Sequence, residues 1–349
     1  MSGVKPVFGG LSSGNSPPMP NLATIWFLAT AKSGLGHLRR ISTIAGHMAN
    51  GDKCPAVGLM TNAGLSGLEE SDRRIYAHVA FAERAEMAGR LAAESVTGVV
   101  VDTAIVPRLD RRDEPLVLIL REMSKDRIEG LRLLGGRPWD LVIIPNPENH
   151  WMPNLARGFA RNVLAVGWIY RLSAAAARPM SALPKLLIAT GGGGKAEGAA
   201  ALRAQIDGII ASLRACTSRP FTVEQALAAR APPQARLHGA DRVFDPGGAL
   251  NDCFAAADIV VSTAGYNSVL ELAMTETPTM LVPIERSIDD QVARAKLWGP
   301  RVGCFLDPEA PVAAVDWLKR QIETPARRPP VDLGPSGAAA AARDILALL

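Results

Sequence analysis

The sequence predicts an α/β fold of two parallel-sheet domains, and three observations predict it. Short, nearly continuous apolar runs alternate with stretches of helical spacing, as in βαβ units whose strands are covered on both faces. The alternation pauses at a polar, proline-bearing connector, SAAAARPMSALP at 173–184, and then restarts. The length of 349 residues exceeds one typical core and suits two domains of roughly 150 residues each.

In chain order, residues 1–21 are rich in Gly, Ser and Pro and read as a flexible leader. The first domain, 22–178, opens with LATIWFLAT as a buried strand. The helix LRRISTIAGHMAN follows, with Leu38, Ile41, Ile44, Ala45 and Met48 on one face. Further strands are expected at PAVGLMTN, GVVVDTAIV, PLVLILREM, WDLVIIPN and NVLAVGW. The second domain, 179–335, brings KLLIATGGGG, the helix KAEGAAALRAQIDGIIASLRA, and strands at FTVEQAL and ADIVVSTAG. A helix YNSVLELAMT, a strand PTMLVPI, a helix SIDDQVARAKLWG and a short strand GCFLD complete it. The alanine-rich end, 336–349, is a closing helix expected to pack back toward the first domain.

Composition narrows the function. With 48% hydrophobic and 21% charged residues the chain is globular rather than disordered. It shows neither a signal-peptide layout nor an apolar run near the ~20 residues a membrane crossing needs. A cytoplasmic protein is expected. Cys54, Cys216, Cys253 and Cys304 form no C-x-x-C pair and adjoin apolar segments, which favours reduced, buried thiols over a metal cage. The net charge of +4 comes without a dense Lys/Arg block, and aromatics are only 5%. That argues against nucleic acid as a partner and leaves anionic ligands or a peripheral contact with the inner membrane face.

In open parallel sheets ligands bind where the carboxyl ends of strands meet helix N-termini. Three loops have that placement. AKSGLGH carries Gly34, Gly36 and His37. TGGGGK carries Gly192, Gly193 and Gly194, whose backbone can approach an anion closely; a flexible connector is the alternative. STAGYNSVLE carries Gly265, then Asn267 or Ser268 as a helix cap, and Glu271 on the first turn. Glu271 reads equally as a dipole contribution of ~0.3–1 kcal/mol or as a carboxylate accepting two hydrogen bonds from a vicinal diol such as ribose. Neither a P-loop nor G-x-G-x-x-G fits these loops, which argues against a nucleoside triphosphate machine.

The segment ADIVVSTAGYNSVLELAMTETPTMLVPIERSIDDQVARAKLWG resembles the donor-binding part of GT-B glycosyltransferases, in particular the MurG-like, family 28-type group. GLGHLRR is similar to the G-x-G-H-x-x-R loop of that wider group, which a UDP-sugar hydrolase of pseudaminic acid synthesis shares. The resemblance is strong over 240–305, moderate at 24–48 and 184–195, and weak over 50–175. It implies the GT-B fold, two Rossmann-like domains, and transfer of a hexosyl or N-acetylhexosaminyl group from a nucleotide sugar, a UDP-sugar first of all, to a hydroxyl acceptor. It implies no metal and no cofactor. By the same resemblance Glu271 holds the ribose, and the Gly265 loop with Asn267 and Ser268 meets the diphosphate together with Gly34, Gly36 and Gly192 to Gly194. Asp290 and Gln291 contact the donor sugar, and Arg242, Val243 and Phe244 lie beside the base. MurG-type enzymes have consecutive glutamines where this chain has Asp290-Gln291, so the donor sugar is open.

Of five histidines, His37 alone sits in a glycine loop after a strand. It reads as general base, as a diphosphate or sugar hydrogen-bonding group, or as a turn partner. Arg40 reads as an acceptor or anion contact or as a helix-surface arginine. Asp102, ending GVVVD, reads as the orienter of the imidazole or as a helix cap. Trp151 and Trp168 line an acceptor cleft or fill core. A nucleotide-sugar hydrolase and a non-catalytic, transferase-like partner subunit remain as alternatives.

Overall fold

The computed structural model describes residues 23–30, 36–49, 55–63, 68, 70–171, 180–191, 196–229, 231–284 and 290–349. The leader, the domain boundary near 178, Gly34, Gly192 to Gly194 and Cys54 lie outside the described residues. The first sheet holds β1 (Thr24–Ala29), β2 (Ala56–Thr61), β3 (His78–Phe81), β4 (Val96–Asp102), β5 (Leu116–Ile119), β6 (Trp139–Ile144) and β7 (Ala160–Ala165). Its order is β3-β2-β1-β4-β5-β6-β7, and the pairings are parallel. The second sheet holds β8 (Lys185–Ala189), β9 (Thr222–Ala226), β10 (Arg242–Phe244), β11 (Ile259–Thr263), β12 (Thr279–Val282) and β13 (Gly303–Phe305), ordered β10-β9-β8-β11-β12-β13 and again parallel.

Around the first sheet lie α1 (Gly36–Ala49), α2 (Glu70–Ile75), α3 (Met87–Leu91) and α4 (Lys125–Glu129). Around the second lie α5 (Ala196–Cys216), α6 (Leu250–Ala256), α7 (Tyr266–Ala273), α8 (Gln291–Val302) and α9 (Pro311–Glu323). The final helix is α10 (Ala338–Leu348). The sheets are the doubly wound kind the alternation predicts. All six residues of β1 are buried, as a strand covered on both faces requires. Gly58 makes room in β2: a Cβ there would stand 2.7 Å from the Trp26 ring.

The helical stripe read from the sequence is the buried face of α1, and Leu38, Ile41, Ile44, Ala45 and Met48 are fully enclosed. They share one core with Ala338, Ala341, Ala342 and Ile345 of α10, so the last helix belongs to the first sheet's core. The chain gets there by a close crossing, in which Gly337 N–H donates to the Trp168 carbonyl at 2.8 Å. A Cβ on Gly337 would sit 2.3 Å from the Val166 carbonyl oxygen.

Among the described residues, seven elements are absent from the pattern reading: the strands β3 and β10 and the helices α2, α3, α4, α6 and α9. The two strands are edge strands of four and three residues. One expectation about the thiols fails: Cys216 is exposed at the end of α5, while Cys253 and Cys304 are half-buried. No helix among the described residues is long and apolar enough to cross a membrane.

Candidate functional site

Strand order reverses once in each sheet, between β1 and β4 in the first and between β8 and β11 in the second. At such a switch point neighbouring connections leave in opposite directions and open a crevice at the carboxyl ends of the strands. His37 follows β1, Asp102 ends β4, and the Gly265 loop follows β11. His37 and the Gly265 loop thus sit at the two reversals.

At the first reversal His37 Nδ1 lies 3.1 Å from Asp102 Oδ1, with a quarter of the histidine side chain exposed and the carboxylate fully buried. At that distance Nδ1 makes no aligned hydrogen bond. Arg40 grips the same carboxylate twice, Nε donating to Oδ2 at 2.9 Å and Nη2 to Oδ1 at 2.7 Å. The Thr103 hydroxyl is 2.8 Å from Oδ1 and 2.9 Å from the Ile119 carbonyl, so its one hydrogen is shared. Thr103 itself has φ 49°, a left-handed conformation uncommon for a β-branched residue and a local strain at the strand end. Burial alone would push the Asp102 carboxyl up; the Arg40 guanidinium and His37 outweigh it and hold the carboxyl well below the usual carboxylate range.

Two readings are corrected here. Arg40 is neither a helix-surface arginine nor turned to an outside acceptor or anion, because it is buried against Asp102. The H-x-x-R spacing explains it: residues three apart share one helix face, so His37 and Arg40 reach one carboxylate. Asp102 is not a helix cap, since its oxygens face His37, Arg40 and Thr103 and no helix follows directly.

At the second reversal Gly265 is the N-cap residue of α7, with no side-chain cap bond. Asn267 does not cap: its Nδ2 donates across the domain boundary to the Gly36 carbonyl at 2.7 Å. Ser268 lies on the same first turn, half-buried. Glu271 is the sixth residue of α7 rather than a first-turn one, so the dipole reading lapses. It is buried, and Arg39 Nη1 donates to both its oxygens at 2.8 Å. Tyr266 lies between two guanidinium groups, Arg40 at 5.5 Å and Arg294 at 5.7 Å from its ring centre, and its hydroxyl donates to the Pro145 carbonyl.

Asp290 caps α8, accepting from Ala293 N at 2.9 Å. Gln291 is buried beside it, with Oε1 3.4 Å from Ile284 N. Arg242, Val243 and Phe244 form β10, with Arg242 exposed and stacked over Phe244 at 5.0 Å. Trp168 is core, packed edge-on against Trp298 at 5.6 Å, and Trp151 is half-buried against the core on the first sheet's other face, away from α1 and α10. Sequence reasoning missed Arg39, Thr103, Tyr266, Arg294 and His150. His150 follows β6, lies 4.6 Å from the Trp168 ring and 3.9 Å from Glu122. Burial lowers its pKa, with Arg294 and Arg301 acting in the same direction and Glu122 against it. Position just past a strand end was the available signal for Thr103 and His150.

Residues 248–324 match the glycosyltransferase family 28 C-terminal domain. The fold is GT-B. The chain superposes on MurG of Acinetobacter baumannii at TM-score 0.57 and 12% identity, over 93% of this chain and 99% of that one. It superposes on the calicheamicin glycosyltransferase CalG4 at 0.54 and 16%, over 94% and 98%. The spinosyn rhamnosyltransferase SpnG, complexed with thymidine diphosphate, gives 0.54 and 14% over 93% and 95%. No curated protein matches the sequence.

Proposed function

We propose that this chain is a metal-independent glycosyltransferase that moves a hexosyl or N-acetylhexosaminyl group from a nucleotide diphosphate sugar, a UDP-sugar in the first instance, to a hydroxyl acceptor, with His37 as general base. One observation carries the reading. The His37–Asp102 pair and the Glu271 helix come from different sheets yet meet at one seam, where Asn267 touches Gly36. A ligand that needs both halves has a nucleotide on one side and a reacting sugar on the other.

Asp102 facing Nδ1 leaves Nε2 as the atom that takes the acceptor proton. Arg40 and Thr103 fix the carboxylate that fixes the ring. As the bond to the diphosphate breaks, negative charge grows on the leaving group, and first-turn amides of α7 are preorganised to meet it. Glu271 then accepts the ribose hydroxyls, Gln291 and Asp290 face the sugar, and Arg242 to Phe244 flank the base.

Calorimetric titration with UDP and 2′-deoxy-UDP tests the donor side: several-fold tighter binding of UDP is expected, and equal affinity removes the diol role of Glu271. His37→Ala is expected to keep UDP affinity while turnover falls ~10²–10⁴-fold. Unchanged turnover removes the base assignment. With a sugar-labelled donor, label in the acceptor supports transfer and free labelled sugar supports hydrolysis. Failure of any nucleotide to bind at millimolar concentration favours a non-catalytic partner subunit.

A further inference from the structure

Arg39 and Arg40 are adjacent on α1 yet serve opposite sides of the seam. Arg40 turns inward to Asp102, while Arg39 crosses to the second domain, where its Nη1 bridges both oxygens of Glu271 at 2.8 Å. Its Nη2 donates to the Gly248 carbonyl, just ahead of α6. Beside it the Asn267 amide holds the Gly36 carbonyl at 2.7 Å. The first turn of α1 is therefore fastened to α7 and to the start of α6 at once.

Helix stability does not explain Arg39, because a cation in a first turn works against the macrodipole. Space gives a second argument. The void between Arg39, Thr43, Tyr170, Asn267 and Glu271 is about 10 Å³, room for about one water and far too small for a nucleoside. In this conformation the carboxylate assigned to ribose is already covered by a side chain of the other domain.

We propose that Arg39 is the resident occupant of the ribose carboxylate, a latch that holds the two domains together over Glu271 until a nucleotide diphosphate displaces it. The proposal rests on the ribose reading of Glu271. Ribose hydroxyls reaching both oxygens must push Nη1 aside, and the Gly248 contact goes with it. Donor binding is then coupled to opening of the seam, and the latch lowers donor affinity by the fraction of molecules it keeps shut.

The test is calorimetric titration of the full chain with UDP, comparing wild type, Arg39→Ala, Arg39→Lys and Glu271→Gln. Arg39→Ala is expected to bind about tenfold tighter, a change of roughly 1.4 kcal/mol. Arg39→Lys is expected to lie between it and wild type, and it keeps the test open if the alanine variant does not fold. Glu271→Gln is expected to bind weakest. Equal or weaker binding by both Arg39 variants, with Glu271→Gln still impaired, overturns the latch and leaves the ribose reading standing. Wild-type affinity in Glu271→Gln removes the ribose reading and the latch with it, as does a lack of UDP binding in every protein.

Discussion

Two arginine-rich regions lie at opposite ends of the first sheet, and they behave differently. At the amino ends of β5 to β7 a cavity of about 520 Å³ is lined by Arg111, Arg112, Arg137, Arg161, Asp110 and Asp140. The ion pairs it holds lie within one domain. Arg137 donates to the Glu114 carbonyl at 2.8 Å and to Asp140 at 2.9 Å, Asp140 also accepts from Leu116 N, and Arg112 pairs with Glu114. At the carboxyl ends the space is small, and charges are traded across elements far apart in sequence: Asp102 between His37 and Arg40, Glu271 under Arg39. Cavity size points to the first region and topology to the second. The difference teaches that a site in this fold is marked by charge pairs traded between distant elements at a strand reversal, since a cleft that closes on itself leaves little volume to detect.

The comparison breaks most sharply at Asp102. Its carboxylate faces four donors, Arg40 Nε and Nη2, Thr103 Oγ1 and His37 Nδ1. An asparagine must aim an N–H at one of them and leaves Arg40 buried without its counter-charge. Asp102→Asn is expected to cost ~3–5 kcal/mol of unfolding free energy, as does breaking other buried pairs, and to abolish turnover; urea unfolding measures the first. The pH dependence has a fixed sign. A carboxyl held low in the folded protein stabilises it fully above the unfolded value of about 3.9, and that stability fades as pH falls toward the folded value. Wild type should therefore lose stability with acid below about pH 4 more steeply than Asp102→Asn. Parallel acid limbs would mean that the Asp102 cluster contributes no more than the self-contained basin.

How much of this was legible varies with the physics behind each feature. The β1 run and the α1 stripe were readable because full burial leaves an apolar signature at fixed spacing. The edge strands β3 and β10 were not, because three or four residues on a rim need no such signature. Glu271 was found from its place after a glycine loop. Its partner Arg39 was invisible, since a contact across 232 positions leaves no local pattern. Arg40 was misjudged for the same reason: spacing showed that it shares a face with His37, while the carboxylate that draws the face inward lies 62 residues away.

A smaller effect sharpens the same contrast from the other end of the sheet. Arg137 carries bonds to the carbonyls of Arg112 and Glu114 as well as to Asp140. Arg137→Ala is expected to lower the urea midpoint by an amount worth ~1–3 kcal/mol, the cost of orphaning partly buried acceptors. Turnover and UDP affinity should stay within about twofold of wild type. A large loss of turnover without a loss of stability would move the amino-end basin into the functional machinery and undo the comparison.

The smallest expected change in stability falls on the seam itself. Gly36 opens α1 with ordinary helical geometry, and a Cβ there would stand 3.3 Å from Asn267 Nδ2, the atom bonded to its own carbonyl. Alanine costs the chain less backbone entropy than glycine by about 0.5–1 kcal/mol in a helix. The crowding falls on the end of a rotatable side chain, so the two effects nearly cancel. Gly36→Ala should melt within a degree or two of wild type. Donor binding should respond more, because Asn267 and Gly36 face each other where the diphosphate is expected and the added methyl stands in that gap. A shift in UDP affinity of about fivefold with an unmoved melting temperature separates a seam that binds ligand from one that only joins domains. An unmoved affinity would assign the contact to domain packing alone and put the Asn267 turn on the same footing as the amino-end basin.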